Sequence, residues 1–316
     1  MKKVLVTCPP MLGMFEEFVE PAKLLGLELV AAKTTQVLSE QELMTLLPEY
    51  DGWIIGDDPA TKQVFEVGIR GRLKAAVKWG IGVDNVDFQA CKDLGIPITN
   101  TPNMFGGEVA DVGIALLLGL ARKTYFIDRE IRNNFGWPKP AGMSVAGKKV
   151  GVVGFGDIGE SLVKRLGGFD VDVTVYDPGV EGDKGYKYVT RTEFPKGVEE
   201  LDFLVFTCAL NKHNYHMLNA GVISKLKQGV MIVNVARGPL IDESALIDAL
   251  QRGHVAAAGL DVFEVEPLPT SSPLREMPQC IFGSHNGSNT KEGVRRATYQ
   301  AISHIANFLN SQHIEL

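Results

Sequence analysis

Two series of short apolar runs, each alternating with helix-like segments, most constrain how this 316-residue chain can fold. The runs are rich in β-branched residues, and their alternation with helices is typical of parallel sheets with crossover helices. The sequence therefore predicts an α/β protein with two doubly wound parallel-sheet domains, a number that suits its length. The predicted strands are KKVLVTC, LELVAAK, DGWIIGD, KAAVKWG and IPITNT in the first series, and KKVGVVGF, DVTVYD, LDFLVFTC, VMIVNVA, VAAAGLDV and QCIFGSH in the second.

The glycine-rich stretch GVVGFGDIGE lies between the first strand of the second series and a helix-like segment, the context of a dinucleotide-binding turn. Gly154 would form the tight turn, Gly156 would let a pyrophosphate approach the backbone, and Gly159 would pack the helix against the strand. The helix N-terminus, with Asp157 and Ile158, would supply amides and a positive dipole to the anion. We expect the Asp157 carboxylate to cap this helix rather than face the phosphate. A simple tight turn is the alternative interpretation.

A carboxylate follows the next predicted strand at the distance expected for a nucleotide site. Asp177 ends VTVYD, where it could accept hydrogen bonds from ribose hydroxyls and repel a 2′-phosphate. Pro178 follows it, rather than a basic residue. Together with the glycines, this position predicts an NAD-binding domain and favours NAD over NADP.

Charge and cysteine content narrow the classes of partner. The formal net charge is −6 and no run is rich in Lys or Arg, so a nucleic-acid surface is not expected and small molecules are the expected partners. The four cysteines are scattered without a CxxC pair, which favours neither disulfides nor a metal site and fits the cytoplasm. We expect no secretory leader in MKKVLVTCPP and no membrane span, since the longest apolar run, VGIALLLGLA, is about half a span.

The segment EVADVGIALLLGLARK, between the two series, is apolar almost all round and predicts a helix buried on most faces. We expect this helix, around residues 107–123, to contact a partner subunit in a homodimer or to lie between domains. The amphipathic segment TKEGVRRATYQAISHIANFLN is expected to return to the first domain. The predicted domains are thus 1–99 with 287–316, and 100–286.

Three further motifs, NVARGPLIDESAL, GLDVFEVEP and FGSHNGSNT, follow or end predicted strands of the second sheet, where such sheets bind ligands. Together with GVVGFGDIG, VYDP and GIGVDNVD they occur in the order of the D-isomer-specific 2-hydroxyacid dehydrogenase family, including its phosphoglycerate dehydrogenase-like members. The sequence resembles this family over essentially its whole length. The resemblance implies a flavodoxin-like substrate domain, a Rossmann NAD-binding domain, an active site in the cleft between them, and hydride transfer between nicotinamide and C2 of a D-2-hydroxy acid.

The resemblance assigns the catalytic chemistry to three residues. His285 would take the hydroxyl proton, because imidazole titrates near neutral pH. Glu266 would hold the other ring N–H and stabilise the imidazolium; Glu264 is its rival, but the family's acid directly precedes the proline, here Pro267. Arg237 would bind the substrate carboxylate and polarise the carbonyl in the reverse reaction.

Supporting residues are implied in the same way. Asp261 would bind the nicotinamide carboxamide, with a strand-end cap as the alternative. The other cofactor contacts implied are Cys208 and Ala209 on the adenine-ribose side, Val235 and Ala236 along the nicotinamide ribose, and Gly287. The substrate contacts implied are Lys78 and the amides of Gly80, Ile81 and Gly82, for which a structural turn is the alternative.

The loop after the third predicted strand departs from the family. Members that take a phosphorylated substrate usually have an arginine there, whereas this chain has Asp57 and Asp58. An acidic pair would repel a phosphate at close range, so we expect an unphosphorylated 2-keto acid. Two alternatives stay open: a 3-phosphoglycerate dehydrogenase specifically, and an NAD-responsive corepressor-like binding protein.

Overall fold

The computed structural model is an α/β protein made of two compact units. The first unit contains Met1–Met104 and the chain from Asn289 onward, and the second contains Phe105–Ser288. The sequence predicted domain breaks after residues 99 and 286, slightly earlier in both cases. The residues that the structure describes are 1–34, 36–180 and 182–311.

Strands and helices alternate along the described chain. In chain order they are β1 (Lys2–Val6), α1 (Pro9–Leu12), α2 (Glu16–Leu24), β2 (Leu27–Ala31), α3 (Glu40–Leu46), β3 (Gly52–Ile55), α4 (Lys62–Arg70), β4 (Ala75–Lys78), α5 (Phe88–Asp93), β5 (Ile98–Asn100), α6 (Gly106–Arg122), α7 (Thr124–Asn134), β6 (Lys149–Val153), α8 (Asp157–Leu166), β7 (Asp172–Tyr176), β8 (Val189–Arg191), β9 (Phe203–Phe206), α9 (Ala220–Ile223), β10 (Val230–Asn234), α10 (Glu243–Gln251), β11 (Val255–Leu260), β12 (Cys280–Phe282) and α11 (Lys291–Ser311).

The first unit is built on a five-stranded parallel sheet in the order β2-β1-β3-β4-β5. This is the flavodoxin-like doubly wound order, which confirms the predicted fold class. Its central strands are buried throughout, because helices cover both faces of a parallel sheet. Trp53 and Phe65 lie in the core beneath the sheet, with ring centroids 5.9 Å apart.

The second unit contains a seven-stranded parallel sheet in the order β12-β11-β10-β9-β6-β7-β8. The strand order reverses between β6 and β9, so this is a Rossmann sheet with one added strand, and ligands of such sheets bind at the carboxyl ends of the strands near that point. The edge strand β8 was not predicted from the sequence. It has only three residues, and Thr190 and Arg191 are exposed, so it leaves no apolar run.

Side-chain caps mark where several helices begin, α3 and α10 among them. The Ser39 hydroxyl accepts the Glu42 amide, and the Glu42 carboxylate accepts the Ser39 amide at 2.8 Å, which is a capping box at the start of α3. At α10, Asp242 Oδ1 accepts the amide of Ala245 at 3.1 Å. These caps fix where the helices start, and α10 begins directly after the loop that carries Arg237.

Helix α6 corresponds to the apolar segment predicted to contact a partner subunit, but it packs inside the second unit. A Cβ atom added at Gly113 would lie 3.2 Å from Leu162 of α8, and one added at Gly259 of β11 would lie 3.0 Å from Leu116. These contacts account for the buried face of α6, whereas Val112, Ile114 and Leu118 are half-buried, so the interface at 107–123 stays a prediction. Neither α6 nor any other described helix is both long and apolar enough to cross a membrane.

Candidate active site

The glycine-rich turn follows β6 and leads into α8. Gly154 has a φ of +98°, and a Cβ atom there would lie 2.7 Å from the backbone nitrogen of Cys208. At Gly159 an added Cβ atom would lie 2.0 Å from the Gly154 oxygen, so this glycine is required for close packing of helix against turn. By contrast, nothing lies within 4 Å of the Cβ position of Gly156. The turn thus leaves open space at Gly156, beside Ile158 in the first turn of α8, as a bound pyrophosphate requires.

Asp157 does not play the capping role that the sequence suggested. The N-cap residue of α8 is Gly156, and no side chain caps this helix. The Asp157 carboxylate instead lies against the start of α6, where a Cβ atom added at Gly106 would be 2.2 Å from its Oδ1 atom. The N-terminal amides of α6 favour an anion at this position, which explains why the carboxylate lies there.

The Asp177 carboxylate lies beside the glycine-rich turn at the end of β7. Its Oδ2 atom accepts the Phe155 amide at 2.6 Å, and its Oδ1 atom accepts the Gly179 amide at 2.8 Å. The exposed Pro178 follows it. This is the position at which a carboxylate contacts a nucleotide ribose in Rossmann sheets.

Three candidate catalytic side chains lie together at the carboxyl ends of β10, β11 and β12. The His285 Nδ1 atom lies 2.8 Å from Glu266 Oε2, and its Nε2 atom lies 3.5 Å from Arg237 Nη1. All three side chains are partly buried. Glu266 is itself oriented by the Phe263 amide, which donates to its Oε1 atom at 2.9 Å. A carboxylate on one ring nitrogen therefore presents the other nitrogen beside a guanidinium.

Asp261 holds the loop that carries His285. Its backbone oxygen accepts the His285 amide at 2.6 Å, and its buried carboxylate accepts the amides of Asn286 at 3.2 Å and Gly287 at 2.9 Å. His285 has a φ of +55°, a left-handed conformation that this loop stabilises. The resemblance assigned Asp261 to the nicotinamide carboxamide, and the structure adds an anchoring contact to the catalytic loop.

The sequence analysis gave no role to Asn234, the buried last residue of β10. Its Nδ2 atom donates to the Arg237 backbone oxygen at 2.9 Å, and its Oδ1 atom accepts the Ala236 amide at 3.0 Å. The side chain therefore fixes the loop that presents the guanidinium. A buried polar residue at a strand end was the signal that could have identified it.

The two glutamates of FEVEP have different partners. Glu264 Oε1 lies 2.5 Å from His216 Nε2, at an angle unsuited to a hydrogen bond, and it also accepts the Glu243 amide at 3.2 Å. Of these two glutamates, Glu266 is the one that contacts the His285 ring. Ligand atoms of His216, Asp242 and Glu264 lie within 4.8 Å of one another, which makes this trio a possible cation site among the described residues, but Asp242 already caps α10 and Glu264 holds the start of the same helix.

The remaining cofactor candidates also lie at this edge of the sheet. Cys208 and Ala209 follow β9, where Asn214 Nδ2 donates to the Ala209 oxygen at 2.7 Å. Burial raises the pKa of the Cys208 thiol to about 12, so the thiol is uncharged at neutral pH. Val235 and Ala236 follow β10 and are buried.

In the first unit, Lys78 is buried at the end of β4. Its Nζ atom donates to Asp57 Oδ1 at 3.0 Å and to the Trp79 oxygen at 3.1 Å. The Gly80 amide was predicted to bind the substrate carboxylate, but it donates to the Thr101 hydroxyl at 2.7 Å. Its proton is therefore used within the fold, and the amides of the next two residues, Ile81 and Gly82, stay candidates.

Asp57 and Asp58 do not form the acidic surface pair that the sequence suggested. Asp58 is fully buried, and its carboxylate accepts the amides of Leu38 at 2.8 Å and Gly56 at 3.1 Å as well as the Thr7 hydroxyl. Burial raises the pKa of the Asp58 carboxyl. Asp58 is thus a structural residue, and only Asp57 lies beside Lys78.

A glycine-rich turn on a Rossmann sheet, with a paired histidine at the same edge, defines an NAD-dependent oxidoreductase. Consistent with this class, the family model described as "D-isomer specific 2-hydroxyacid dehydrogenase, NAD binding domain" matches residues 114–287. The chain therefore belongs to the D-isomer specific 2-hydroxyacid dehydrogenase family, and it acts on the CH–OH group of 2-hydroxy acids with NAD as cofactor.

Individual relatives agree with this family. A hydroxypyruvate reductase of Thermotoga maritima is 36% identical over 86% of this chain and 89% of its own length. A chloroplastic D-3-phosphoglycerate dehydrogenase of Arabidopsis thaliana is 34% identical over 87% of this chain, which spans only 44% of that relative. Among solved structures, the TT0316 protein of Thermus thermophilus is similar with a TM-score of 0.86 and 28% identity, covering 98% of this chain and 97% of that one.

Proposed function

We propose that the chain reduces a small unphosphorylated 2-keto acid to the D-2-hydroxy acid with NADH, and that His285, Glu266 and Arg237 carry the chemistry. The observation behind this proposal is the His285 ring, which has Glu266 on one nitrogen and Arg237 beside the other. The Nε2 atom of His285 and the guanidinium of Arg237 are therefore close enough to contact the same substrate group. A carbonyl oxygen that gains charge during reduction needs both groups.

His285 is the proton donor in reduction and the proton acceptor in oxidation. Glu266 holds the Nδ1–H, so the exchangeable proton is on Nε2, and its charge favours the imidazolium that must donate. Proton transfer by a positioned side chain contributes about 10²–10⁴-fold to the rate. The charge of Glu266 also fixes the ring orientation after the proton has left.

Arg237 binds the acidic end of the substrate and polarises its carbonyl. A guanidinium binds a carboxylate with two parallel N–H groups, and it stays charged at every working pH. Its Nη1 atom is 3.5 Å from His285 Nε2, so both donors can address the same α-keto acid group. The Arg237 backbone is held by Asn234, which limits the movement of this clamp.

The residues of the turn fit a dinucleotide. The close-packed Gly154 and Gly159 and the open position at Gly156 form a cradle that a pyrophosphate can approach, and Asp177 lies where ribose hydroxyls would donate. The bound NADH supplies the hydride that reduces C2. We propose further contacts through Asp261 to the carboxamide and through the residues after β9 and β10, which are Cys208, Ala209, Val235 and Ala236.

In the first unit we propose that Lys78 and the amides of Ile81 and Gly82 take part in substrate recognition. The Lys78 ammonium is already paired with the Asp57 carboxylate, so the two side chains are neutral together. A phosphomonoester carries nearly two negative charges and needs several cations to offset its desolvation. The name of the Thermotoga maritima relative supports this view, since hydroxypyruvate is a small unphosphorylated 2-keto acid, whereas the name of the Arabidopsis thaliana relative corresponds to the phosphorylated alternative.

A substrate panel tests the proposal. We expect kcat/KM with NADH to be higher for glyoxylate, pyruvate or hydroxypyruvate than for 3-phosphohydroxypyruvate. A clear preference for the phosphorylated compound contradicts the substrate proposal but leaves the catalytic residues unaffected.

Two histidine variants test the catalytic assignment. His285→Ala should reduce kcat by about 10²–10⁴-fold and leave NADH affinity nearly unchanged. His216→Ala is the matched control, because His216 also contacts a glutamate of the same motif, and it should change kcat by only a few-fold. Equal losses in the two variants argue against a proton-transfer role for His285.

We also propose a homodimer, with the predicted contact around residues 107–123 and a further contact after α7. After α7, Phe135 is 93% exposed and Trp137 is 78% exposed, and large apolar side chains this close together are typical of a protein contact. Replacing both with serine should halve the mass measured by light scattering. A native protein that is already a single chain in solution contradicts this proposal.

A further inference from the structure

Phe155, the middle residue of the glycine-rich turn, is held from outside by the segment that follows β7. Its ring is fully buried, and both of its backbone polar groups are bonded to side chains. The Phe155 amide donates to Asp177 Oδ2 at 2.6 Å, and the Phe155 oxygen accepts Lys184 Nζ at 2.9 Å. The conformation of the turn is therefore set by two side chains as well as by its own glycines.

The Lys184 side chain reaches the turn from a tight loop and makes three contacts there. Beside the Phe155 oxygen, its ammonium is 2.5 Å from Glu160 Oε2 in the first turn of α8 and 4.6 Å from the centroid of the Phe155 ring. The loop residues Gly182 and Gly185 have φ values of +72° and +84°, and Lys184 itself has a φ of +52°. Successive left-handed residues bend the chain so that the lysine returns over the turn.

The bond to the Phe155 oxygen has a consequence for Gly156. The C=O of Phe155 and the N–H of Gly156 belong to one trans peptide plane, so they point in opposite directions. When Lys184 holds the oxygen on one side, the Gly156 N–H is directed to the other. No described residue accepts a hydrogen bond from this N–H, and the Cβ position of Gly156 is open. A charged donor on the oxygen also polarises the N–H of the same peptide.

We propose that Lys184 is a positioning residue for the cofactor: it orients the Phe155–Gly156 peptide so that the Gly156 N–H donates to the NADH pyrophosphate. Glu160 holds the ammonium in place and neutralises its charge, so the effect is one of orientation rather than net charge. The inference rests on the proposed placement of the pyrophosphate at this turn.

Binding of NADH and of ADP-ribose, measured by calorimetry, tests the role of Lys184. Lys184→Met should raise both dissociation constants by about tenfold, because a hydrogen bond to a charged donor is lost, with kcat at saturating NADH and the keto-acid KM unchanged. Lys184→Arg should restore most of the affinity. Lys187→Met is the matched control in the same loop, and it should bind like the native chain. A dissociation constant for Lys184→Met within twofold of the native value overturns the inference.

A double variant separates orientation from charge. In Lys184→Met with Glu160→Gln, the carboxylate left near the pyrophosphate is also removed. We expect NADH binding to stay weak in this variant, because the peptide is still not held. Return to native affinity overturns the positioning role and assigns the loss to the unpaired Glu160.

Gly156→Ala tests the placement of the cofactor itself. The added methyl group meets no atom of the protein within 4 Å, so it should not disturb folding, but it fills the space of the pyrophosphate. We expect a dissociation constant for NADH at least about tenfold higher. Unchanged binding in this variant refutes the cofactor placement, whereas weak binding here with native binding in Lys184→Met refutes only the role of Lys184.

Discussion

Gly238→Ala is the most informative single change for the active site, because Gly238 directly follows Arg237 and packs against the segment that leads to Glu266. A Cβ atom at Gly238 would lie 1.9 Å from the carbonyl carbon and oxygen of Phe263 and 2.4 Å from the Glu264 nitrogen. These are backbone atoms, so no side-chain rotation can relieve the overlap. Both loops must move apart.

The size of the effect follows from these distances. Ordinary contact with a Cβ atom begins at 3.4 Å, so the two loops must separate by about 1.5 Å. Overpacking of this kind reduces the free energy of unfolding by about 1–3 kcal/mol. Misplacing catalytic groups by about 1 Å costs roughly 10²-fold in rate. We therefore expect kcat/KM to fall by about 100-fold.

Steady-state kinetics and urea unfolding measure the two effects. Gly168→Ala is a matched control, since an added Cβ atom there meets nothing within 4 Å and the residue does not have a left-handed φ. This control should behave like the native chain. Native kcat/KM and native stability in Gly238→Ala refute the reasoning, because they require that the two loops are not packed as described.

Three further predictions concern the cofactor, the proton and the acid limit of stability. Asp177→Ala should narrow the preference for NADH over NADPH, measured as the ratio of kcat/KM values, since it removes the repulsion of a 2′-phosphate; an unchanged ratio contradicts this. Glu266→Gln should move the falling limb of the pH profile of reduction to lower pH, because a neutral amide does not stabilise the imidazolium, and an unmoved limb rules out the pair. Although burial opposes it, the bond from Lys227 at 2.7 Å lowers the pKa of Asp202 in the folded state. The ionised Asp202 therefore stabilises the fold above the unfolded pKa of about 3.9, and this contribution is lost as the pH falls through the lower pKa of the folded state. In Asp202→Asn the free energy of unfolding should depend less steeply on pH in this acid range.

The sheets could be predicted because their signals are local. Apolar β-branched runs mark buried strands, and the order of strands and helices determines a parallel sheet with crossover connections. The glycines could be assigned because their spacing is a local signal, and Gly159 contacts the Gly154 backbone within the turn; the Cys208 backbone, which excludes a Cβ atom at Gly154, is distant in the sequence. Strand β8 could not be predicted, because it is short and two of its three residues are exposed.

The errors at the candidate sites share a different cause, which is a partner distant in the sequence. The buried Asp58 carboxylate accepts hydrogen bonds from Thr7 and Leu38, and the Gly80 amide donates to Thr101. Local sequence shows a charge or an amide, but only the fold shows whether it is already satisfied. The reason for expecting weak phosphate binding changes accordingly. The sequence suggested repulsion by two aspartates, whereas the structure has a neutral Lys78–Asp57 pair that offers a phosphate no net positive charge.

The two glutamates of FEVEP show where resemblance and geometry support each other. Sequence alone offers two carboxylates separated by one residue, and only the position of Pro267 favoured Glu266. In the structure Glu264 is held toward α10 by the Glu243 amide, while Glu266 is held by the Phe263 amide and contacts His285. Glu264 and Glu266, which are separated by one residue, thus face different neighbours. Neither glutamate can take the place of the other unless the loop changes its conformation. Glu266→Gln should therefore lose activity even though the Glu264 carboxylate is still present two residues away, because Glu264 is held toward α10 and does not take the place of Glu266 beside His285.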